Sequence, residues 1–432
     1  MDSYVFGIIL LLVLLVLLSL GVPIAVTLIV SAMGGIYYLQ GYDGLQVVQL
    51  QIWESITPFI LTCAPLYILL GTIFSNSGMA EALYESVYKW SSRLPGSLAV
   101  ATTISCGIFA AISGSSVATA AMFSKVSVLP MLKKGYSPSL ASGTVAAGGT
   151  LGILIPPSIP FILYGIIAEE SIGKLFIAGV LPGIMTLSIF ALYTVWAAHN
   201  SLRQEEKEHF SLTEKIGSTK GIIPFVVVMV SVLGSIYGGV ATPTEAAAIG
   251  VIFSLLLTMA IYRVLDLNRL WKSLRESVSS SAMILLIIVG AMLFGYLLTV
   301  TGVPQQMTEY VVKLNVPRWT ILLLINMILI VMGMFLEVIS IIVITVPILD
   351  PIINALGWDP IWFGVLFVIN MEMALITPPV GLNLYVIKDA IPTLSWETII
   401  KGVCPFIVLL AVSLLVIAVF PQIALWLPSK MQ

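Results

Sequence analysis

Apolar runs long enough to cross a bilayer dominate this sequence and restrict what it can fold into. The hydrocarbon core of a bilayer is about 30 Å thick and takes about 20 apolar helical residues to cross. Ten runs come close to this length or exceed it: residues 3–20, 23–39, 56–76, 139–167, 174–198, 221–240, 244–262, 277–300, 361–387 and 402–427. Together they predict an all-α polytopic membrane protein with about 10–11 transmembrane helices.

The composition excludes the other broad classes of protein. Only 9% of the 432 residues are charged and 59% are hydrophobic, whereas a soluble domain carries about 25% charged residues. The net charge of −2 provides no cationic surface for nucleic acid. The N-terminus is apolar almost at once, which favours a retained span over a cleaved signal peptide. The cysteines and histidines have the spacing of neither a disulfide framework nor a zinc site.

The distribution of basic residues indicates how the chain is oriented. Segments 201–220 and 263–276 hold four Lys or Arg residues each, whereas segments 40–55 and 238–244 hold none. Because Lys and Arg concentrate on the cytoplasmic side, both basic segments are predicted to be cytoplasmic and both chain termini periplasmic. Lys313 and Arg318 then lie outside, as an exception to the rule.

Two further runs, 97–125 and 320–349, are interrupted by small, polar or acidic residues. The predicted orientation requires each run to begin and end on one side of the membrane. We therefore predict two re-entrant hairpins that enter from opposite faces.

Turn and helix-breaking residues recur at one fixed offset along the chain. Three matches lie 222 positions apart: Pro95 with Pro317, Gly135 with Gly357, and Pro156–Pro157 with Pro378–Pro379. We predict one repeat over 1–200, a cytoplasmic linker over 201–220 and a second repeat over 221–432. Each repeat holds five spans and one hairpin, so the second is inverted relative to the first. Inverted repeats with helices interrupted at matching positions are typical of secondary transporters.

The interrupted segments, which are the broken spans and the hairpin tips, contain the candidate site residues. Each broken span contains two consecutive prolines, which remove backbone donors and leave carbonyls that need other partners in lipid. A dehydrated Na⁺ prefers such oxygen ligands, and hydroxyls at a facing hairpin tip can complete its coordination shell. The first predicted sodium site comprises Ser113, Ser115, Ser116, Gly148, Thr150 and Pro156. The second comprises Glu337, Ser340, Thr377, Pro378 and Gly381.

A substrate cavity is predicted between these two sites. Its residues are Ser116, Pro157, Ser158, Glu372, Pro379 and Asn383. Carboxylates inside membrane spans are costly and therefore mark functional positions, which singles out Glu337 and Glu372. The alternative is that the interruptions are proline kinks and that small residues only pack helices together.

Several of these motifs resemble the large membrane subunit, DctM type, of the tripartite ATP-independent periplasmic (TRAP) transporters. The resemblance covers nearly the whole chain, and the segments that carry it are 113–116, 147–158, 171–176, 370–372 and 377–383. One departure is Glu337, where the family pattern favours Asp, followed by Ile339 in place of Pro.

The resemblance implies an elevator-type carrier in the bacterial inner membrane, coupled to Na⁺ and using no organic cofactor. It implies two partners, a small four-span membrane subunit and a soluble periplasmic substrate-binding protein, and an organic acid as substrate, such as a C4-dicarboxylate or a sialic acid. The runner-up is a stand-alone Na⁺/anion symporter of related architecture. A channel would need a continuous polar pore, and an enzyme a nucleophile–base pair or metal motif; the sequence shows neither, nor a nucleotide-binding loop.

Overall fold

The computed structural model describes residues 3–201, 208–263, 266–314 and 316–431. All regular secondary structure in these ranges is helical, which confirms the predicted fold class. The α-helices are Ser3–Ser19, Ile24–Ile56, Cys63–Asn76, Met79–Ser91, Ser97–Ser113, Ser116–Phe123, Leu129–Lys133, Pro138–Thr150, Ile159–Ile167, Ile172–Ser201, Leu212–Ser218, Ile223–Tyr237, Pro243–Leu257, Leu267–Thr301, Val303–Lys313, Arg318–Gly333, Val338–Ala355, Pro360–Ile376, Leu382–Ala390, Trp396–Val419 and Gln422–Leu425.

Seven helical segments in the described ranges are long and apolar enough to cross a membrane. They are Ile24–Ile56, Phe59–Asn76, Ile172–His199, Pro243–Ala260, Leu267–Thr301, Val338–Ala355 and Trp396–Val419. An eighth is formed if Leu212–Gly221 and Ile223–Tyr237, which meet at a 52° bend, count as one span. One of the seven, Val338–Ala355, was predicted as an arm of the second hairpin and not as a span. The predicted 10–11 spans included instead the two broken spans and the N-terminal helix, whose individual helices are shorter.

Several helix boundaries differ from the predicted spans, because capping residues and prolines decide where a helix begins and ends. The span predicted over 277–300 begins at Leu267, where the Asp266 side chain accepts a hydrogen bond from the Asn268 N–H. The span predicted over 402–427 is the helix Trp396–Val419, which Ser395 caps and which ends just before Pro421. The described part of the predicted linker, residues 208–220, includes a short helix that Ser211 caps.

The segments of both predicted hairpins each form a pair of helices joined by a short turn, while their re-entrant path in the membrane stays a prediction. In the first hairpin, Ser97–Ser113 is followed by Ser116–Phe123, and the turn between them uses Gly114 at φ +60°, a conformation open mainly to glycine. Its second arm continues through a π-helical turn to Lys133, beyond the predicted end at 125. The second hairpin joins Arg318–Gly333 to Val338–Ala355.

The two broken spans are built in the same way. The first consists of Pro138–Thr150 and Ile159–Ile167, and the second of Pro360–Ile376 and Leu382–Ala390. Each begins with a capping side chain followed by proline, Ser137 in the first and Asp359 in the second. Each is interrupted at a Pro-Pro pair whose peptide bond is cis.

Small residues pack each hairpin against the broken span of its own half. Gly152 packs against Ala110 in the first half, and Ala374 packs against Gly333 in the second. Gly152 and Ala374 are 222 positions apart (374 − 152), and their partners Ala110 and Gly333 are 223 apart (333 − 110). Similar positions of the two halves therefore form this contact, while the repeat and its inversion stay predictions.

Candidate functional site

The tip of the first hairpin is buried against the first broken span. Ser113 and Ser116 are only 9% and 4% exposed. A Cβ atom added to Gly114 would lie 3.3 Å from the Pro157 carbonyl oxygen, and one added to Gly149 would lie 3.2 Å from the Ser116 carbonyl oxygen. The tip and the helix break that the sequence singled out therefore lie in backbone contact.

Two hydroxyls at this tip are used to hold the turn itself. Ser115 caps the second arm, because its Oγ accepts a hydrogen bond from the Ala118 N–H at 3.3 Å. The Ser113 Oγ lies 3.1 Å from the Thr119 Oγ1, which in turn donates to the Ser115 carbonyl at 2.9 Å. Thr119 was not among the predicted site residues. Its position one turn after a serine cap was the only local signal for this role.

Ser116 reaches across to the second half of the chain. The Asn383 Nδ2 donates to the Ser116 Oγ at 2.8 Å and to the Ala146 carbonyl at 3.0 Å, and the Ser116 Oγ donates to the Asn383 Oδ1 at 3.1 Å. Asn383 is fully buried. One amide therefore joins the first hairpin, the first broken span and the second broken span. The result is a buried cluster of hydroxyl, amide and carbonyl oxygens.

Three helices begin around this cluster. They start at Ser116, Ile159 and Leu382. The Ile159 end is near, because a Cβ on Gly114 would lie 4.0 Å from the Ile159 nitrogen. Helix N-termini carry partial positive charge and favour anions. The arrangement can therefore offer oxygen ligands to a cation and backbone N–H groups to an anion in one place.

Two hydroxyls of the first broken span, Ser158 of the predicted cavity and Thr150 of the first predicted sodium site, donate to carbonyls of that span. The Ser158 Oγ donates to the Ile153 carbonyl at 2.6 Å and accepts from the Phe161 N–H at 3.4 Å. Ile153 lies four residues before Pro157, which has no N–H to donate. The Thr150 Oγ1 donates to the Ala147 carbonyl at 2.8 Å.

Gly148 and Pro156 occupy different surroundings in the first broken span. Gly148 packs against Cys106 on the first arm of the hairpin, since an added Cβ would lie 2.7 Å from the Cys106 Cβ. Pro156 is the first residue of the cis Pro-Pro pair, and both prolines are buried.

The second hairpin tip is more open than the first. Glu337 is exposed and occupies the capping position of Val338–Ala355 without a side-chain hydrogen bond to the helix, whereas Ser340 is buried. The Thr377 Oγ1 donates to the Met373 carbonyl at 2.6 Å. Gly381, at φ +55°, begins the helix Leu382–Ala390. Among the described residues, no hydrogen bond joins this tip to the second helix break.

The second broken span also holds two buried polar side chains that behave differently. The Asn370 Nδ2 donates to the Asn326 carbonyl at 3.1 Å and to the Asn326 Oδ1 at 2.9 Å, a link that the sequence did not predict. Glu372 is fully buried, and neither of its carboxyl oxygens has a hydrogen-bond partner among the described residues. Pro379, also assigned to the predicted cavity, is exposed.

Outside the membrane-spanning segments, an ion pair ties the linker to the first hairpin. Lys134, which follows the second arm of that hairpin, pairs with Glu208 in the linker, and its Nζ lies 5.9 Å from the centre of the Tyr88 ring. The hydrogen bond from Lys134 lowers the pKa of the Glu208 carboxyl, and the same bond raises the pKa of the Lys134 ammonium.

Comparison with known proteins identifies the family to which this architecture belongs. The family described as the tripartite ATP-independent periplasmic transporter, DctM component, matches residues 11–423. The chain belongs to this family. The finding confirms the resemblance seen in the sequence and agrees with the prediction of a transporter subunit that is not an enzyme. It also identifies a multi-pass membrane protein.

Relatives with assigned substrates include the C4-dicarboxylate TRAP transporter large permease protein DctM of Pseudomonas aeruginosa, which is 36% identical over 90% of each chain. The sialic acid TRAP transporter large permease protein SiaM of Vibrio cholerae is 30% identical over 96% of each. The isethionate TRAP transporter permease protein DctMQ of Oleidesulfovibrio alaskensis is 34% identical over 95% of this chain and 64% of the relative.

Among solved structures, the YdaH transporter of Alcanivorax borkumensis superposes with a TM-score of 0.64 at 14% identity, over 89% of this DctM-family chain and 90% of the other. This similarity concerns the fold alone. It shows that the two chains share a helical fold.

Proposed function

We propose that this chain is the large transmembrane subunit of a Na⁺-coupled secondary transporter that imports an organic acid. The observation that carries the proposal is the buried cluster around Ser116 and Asn383, where both halves of the chain supply polar groups. Family membership supports a carrier, and the oxygen-rich break supports a small hard cation as its coupling ion.

The first sodium site would use oxygens of the first hairpin tip and the first broken span. The Ser116 hydroxyl, the Asn383 carboxamide and the Ala146 carbonyl already lie within hydrogen-bond distance of one another. A Na⁺ would replace the amide protons as the partner of these oxygens. The second sodium site would form when the exposed Glu337 and the buried Ser340 approach the break at Thr377–Gly381.

An anionic substrate is supported by two observations. Three helix N-termini surround the cluster, and such ends favour negative charge. The relatives are named for a C4-dicarboxylate, for sialic acid and for isethionate, all of which carry an acidic group. We propose that Ser158, Pro157, Pro379 and Asn383 line the adjacent cavity, while Glu372 influences its charge from within the broken span.

The proposed transporter has three components. One relative joins this type of chain to further sequence under the name DctMQ, and this chain spans only 64% of it. That fusion supports a small four-span membrane subunit as a partner and disfavours a stand-alone symporter. A periplasmic binding protein would deliver the acid, and the hairpins and broken spans would move as one body across the inner membrane. The chain termini would be periplasmic and segment 201–220 cytoplasmic.

The first test needs only the purified chain. Ligands that bind the folded state raise its stability by RT ln(1 + [L]/Kd), about 2.7 kcal/mol at one hundred times Kd. We expect NaCl to raise the unfolding temperature above that measured in choline chloride of equal ionic strength. Ser116→Ala should weaken this Na⁺ effect by about 10- to 100-fold in apparent affinity, on the scale of a lost hydrogen bond to a charged group.

Ser142→Ala is the matched control, because the Ser142 Oγ donates only to carbonyls of its own helix, the nearer being that of Pro138 at 2.8 Å.

The second test is uptake into proteoliposomes that contain both membrane subunits, with the binding protein and a radiolabelled C4-dicarboxylate outside. Uptake should require an inward Na⁺ gradient and no ATP. Equal uptake in choline would rule out Na⁺ coupling.

A further inference from the structure

Glu372 is fully buried, and no residue in the described part of the chain forms a hydrogen bond with its carboxyl group. We propose that Glu372 is a proton-binding site of the carrier, which holds a proton in the conformation described and releases it when the second broken span opens to water. The proton adds to a carboxylate oxygen and leaves to water. This inference is independent of Na⁺ coupling and can hold if that proposal fails.

The surroundings of Glu372 are apolar. Every residue of the helix from Ile361 to Ile376 is buried. On the same helical face, one turn away in either direction, stand Val368, Ile369, Leu375 and Ile376, none more than 5% exposed. An ionised carboxylate in such a place loses its hydration and gains nothing in return, whereas a neutral carboxyl loses far less.

Glu372 differs from the buried amides of the same region, because each of those side chains forms at least one hydrogen bond. Asn370 donates to Asn326, although its own Oδ1 has no partner among the described residues, and Asn383 donates to Ser116. The counterpart of Glu372 in the first half is Thr150 (372 − 222), whose hydroxyl donates to its own helix. Buried polar groups in native proteins are normally hydrogen-bonded. A carboxyl whose role was only to link two helices would be hydrogen-bonded to one of them. The missing hydrogen-bond partner therefore indicates a group that binds and releases a ligand, which here is a proton.

Among the described residues, no charged side chain forms a hydrogen bond with the Glu372 carboxyl. The elements packed against its helix carry these titratable groups: Tyr164, Lys174, Tyr193, His199, Arg318, Asp350, Tyr385, Lys388, Asp389, Glu397, Lys401 and Cys404. All the charged ones lie near the ends of their elements. The Tyr164 hydroxyl donates to the Pro360 carbonyl, twelve residues from Glu372 and therefore about 18 Å along the helix. The charge of an ionised Glu372 would have no counter-ion.

The route for the proton is the helix break. Thr377 follows Glu372 by five residues, about 7.5 Å along the axis, and the exposed Pro379 lies just beyond it. The Glu372 carboxyl is thus shielded from water within the buried part of the helix, but it lies close to the segment where the regular helix ends. Movement of that segment would admit water to Glu372.

Infrared difference spectroscopy of the purified, lipid-reconstituted chain tests this proposal without any substrate. At pH 7.5, where a carboxyl in water is ionised, the wild-type minus Glu372→Gln spectrum should contain the C=O stretching band of a protonated carboxylic acid. The band should move to lower frequency in D₂O. Glu397→Gln removes an exposed carboxyl that pairs with Lys401 and serves as the control, with no such band expected in its difference spectrum.

An ionised Glu372 would give a different spectrum. If the wild-type minus Glu372→Gln spectrum contains the paired bands of an ionised carboxylate and no protonated C=O band, Glu372 is charged and the proposal is wrong. Should Glu372→Gln fail to fold, Glu372→Asp keeps the carboxyl and should shift the protonated band without abolishing it. Absence of a shift would then overturn the assignment.

Discussion

Ser116 and Asn383 are 267 positions apart and each is the hydrogen-bond partner of the other. Ser116 begins the second arm of the first hairpin, and Asn383 stands at the start of the second half-helix of the other repeat. Asn383 also donates to the Ala146 carbonyl. One side chain therefore links the first hairpin, the first broken span and the second broken span at the candidate site. The two predicted repeats are therefore coupled at this point through a single amide.

This coupling predicts a strongly non-additive pair of substitutions. Asn383→Ala leaves the Ser116 hydroxyl and the Ala146 carbonyl without their buried partner, which should cost about 1–3 kcal/mol of unfolding free energy. Ser116→Ala and Asn383→Ala should together cost less than the sum of the two, with a coupling of about 0.5–3 kcal/mol. Thermal unfolding of the four purified variants measures this cycle. Additive effects would mean that the pair contributes nothing specific.

A glycine on a neighbouring span sets the position of the first hairpin tip. A Cβ on Gly71 would lie 2.7 Å from the Ser113 carbonyl oxygen, so Gly71→Ala must push the tip away. We expect a loss of about 1–3 kcal/mol in stability, as for overpacked cores, together with weaker Na⁺-dependent stabilisation. Gly295, which lies 224 positions after Gly71 (295 − 71), is the matched control, because nothing lies within 4 Å of its added Cβ. Equal effects of the two substitutions would contradict this role.

The hydroxyl of Ser158 should be needed for the first broken span to stay intact. Ser158→Ala leaves the Ile153 carbonyl without the partner that donates to it at 2.6 Å, and an unsatisfied buried carbonyl costs about 1–3 kcal/mol. Ser158→Thr keeps the hydroxyl and should recover most of that loss. Chemical or thermal unfolding of the two variants measures the difference. If Ser158→Thr lowers the stability at least as much as Ser158→Ala, the effect is one of packing and not of a lost hydrogen bond.

The ion pair between Lys134 and Glu208 predicts a small pH-dependent stabilisation. Because the pKa of Glu208 is lowered in the folded state, its contribution is present above the ordinary glutamate pKa of about 4.3 and is lost as pH falls through the lowered value. Both side chains are more than a third exposed, so the contribution is at most about 1 kcal/mol. Glu208→Gln should lower stability at pH 7, and its effect should be clearly smaller at pH 3. An equal loss at both pH values would show that the charge is irrelevant.

The predicted inversion can be tested by labelling two matched positions. Lys133 and Ala355 are both exposed and are 222 positions apart (355 − 133) at the ends of corresponding hairpin arms. In a variant without the exposed Cys404, Lys133→Cys should react with an impermeant thiol reagent only from the cytoplasm, and Ala355→Cys only from the periplasm. Labelling of both from one side would refute the inverted orientation.

The sequence predicted local features of this protein well. The proline pairs, the glycine at the first hairpin turn and the polar residues at the tips are all signals within a few residues, and the breaks and turns occur where they indicated. Helix ends were less predictable. The basic segment 263–276 differs in polarity from the span predicted over 277–300, yet one continuous helix, Leu267–Thr301, begins after Asp266 and includes most of that segment and the whole span.

Long-range contacts could not be predicted in the same way. Nothing near Ser116 indicates that its partner is Asn383, because the pair exists only once the two halves have docked. The contact of Gly71 with Ser113 and the amide link between Asn370 and Asn326 depend equally on tertiary packing. The recurring helix breaks therefore indicated which segments to examine, but they could not say which of their side chains are hydrogen-bonded to each other.

The Ser158 hydroxyl takes the place of a backbone donor that Pro157 lacks, and this bears on how the carrier could move. Since the interruption leaves no carbonyl at Ile153 in need of a partner, the gap in the first broken span does not have to close at any stage of a transport cycle. Motion would then be a displacement of preformed half-helices as rigid pieces, without winding or unwinding of the chain between them.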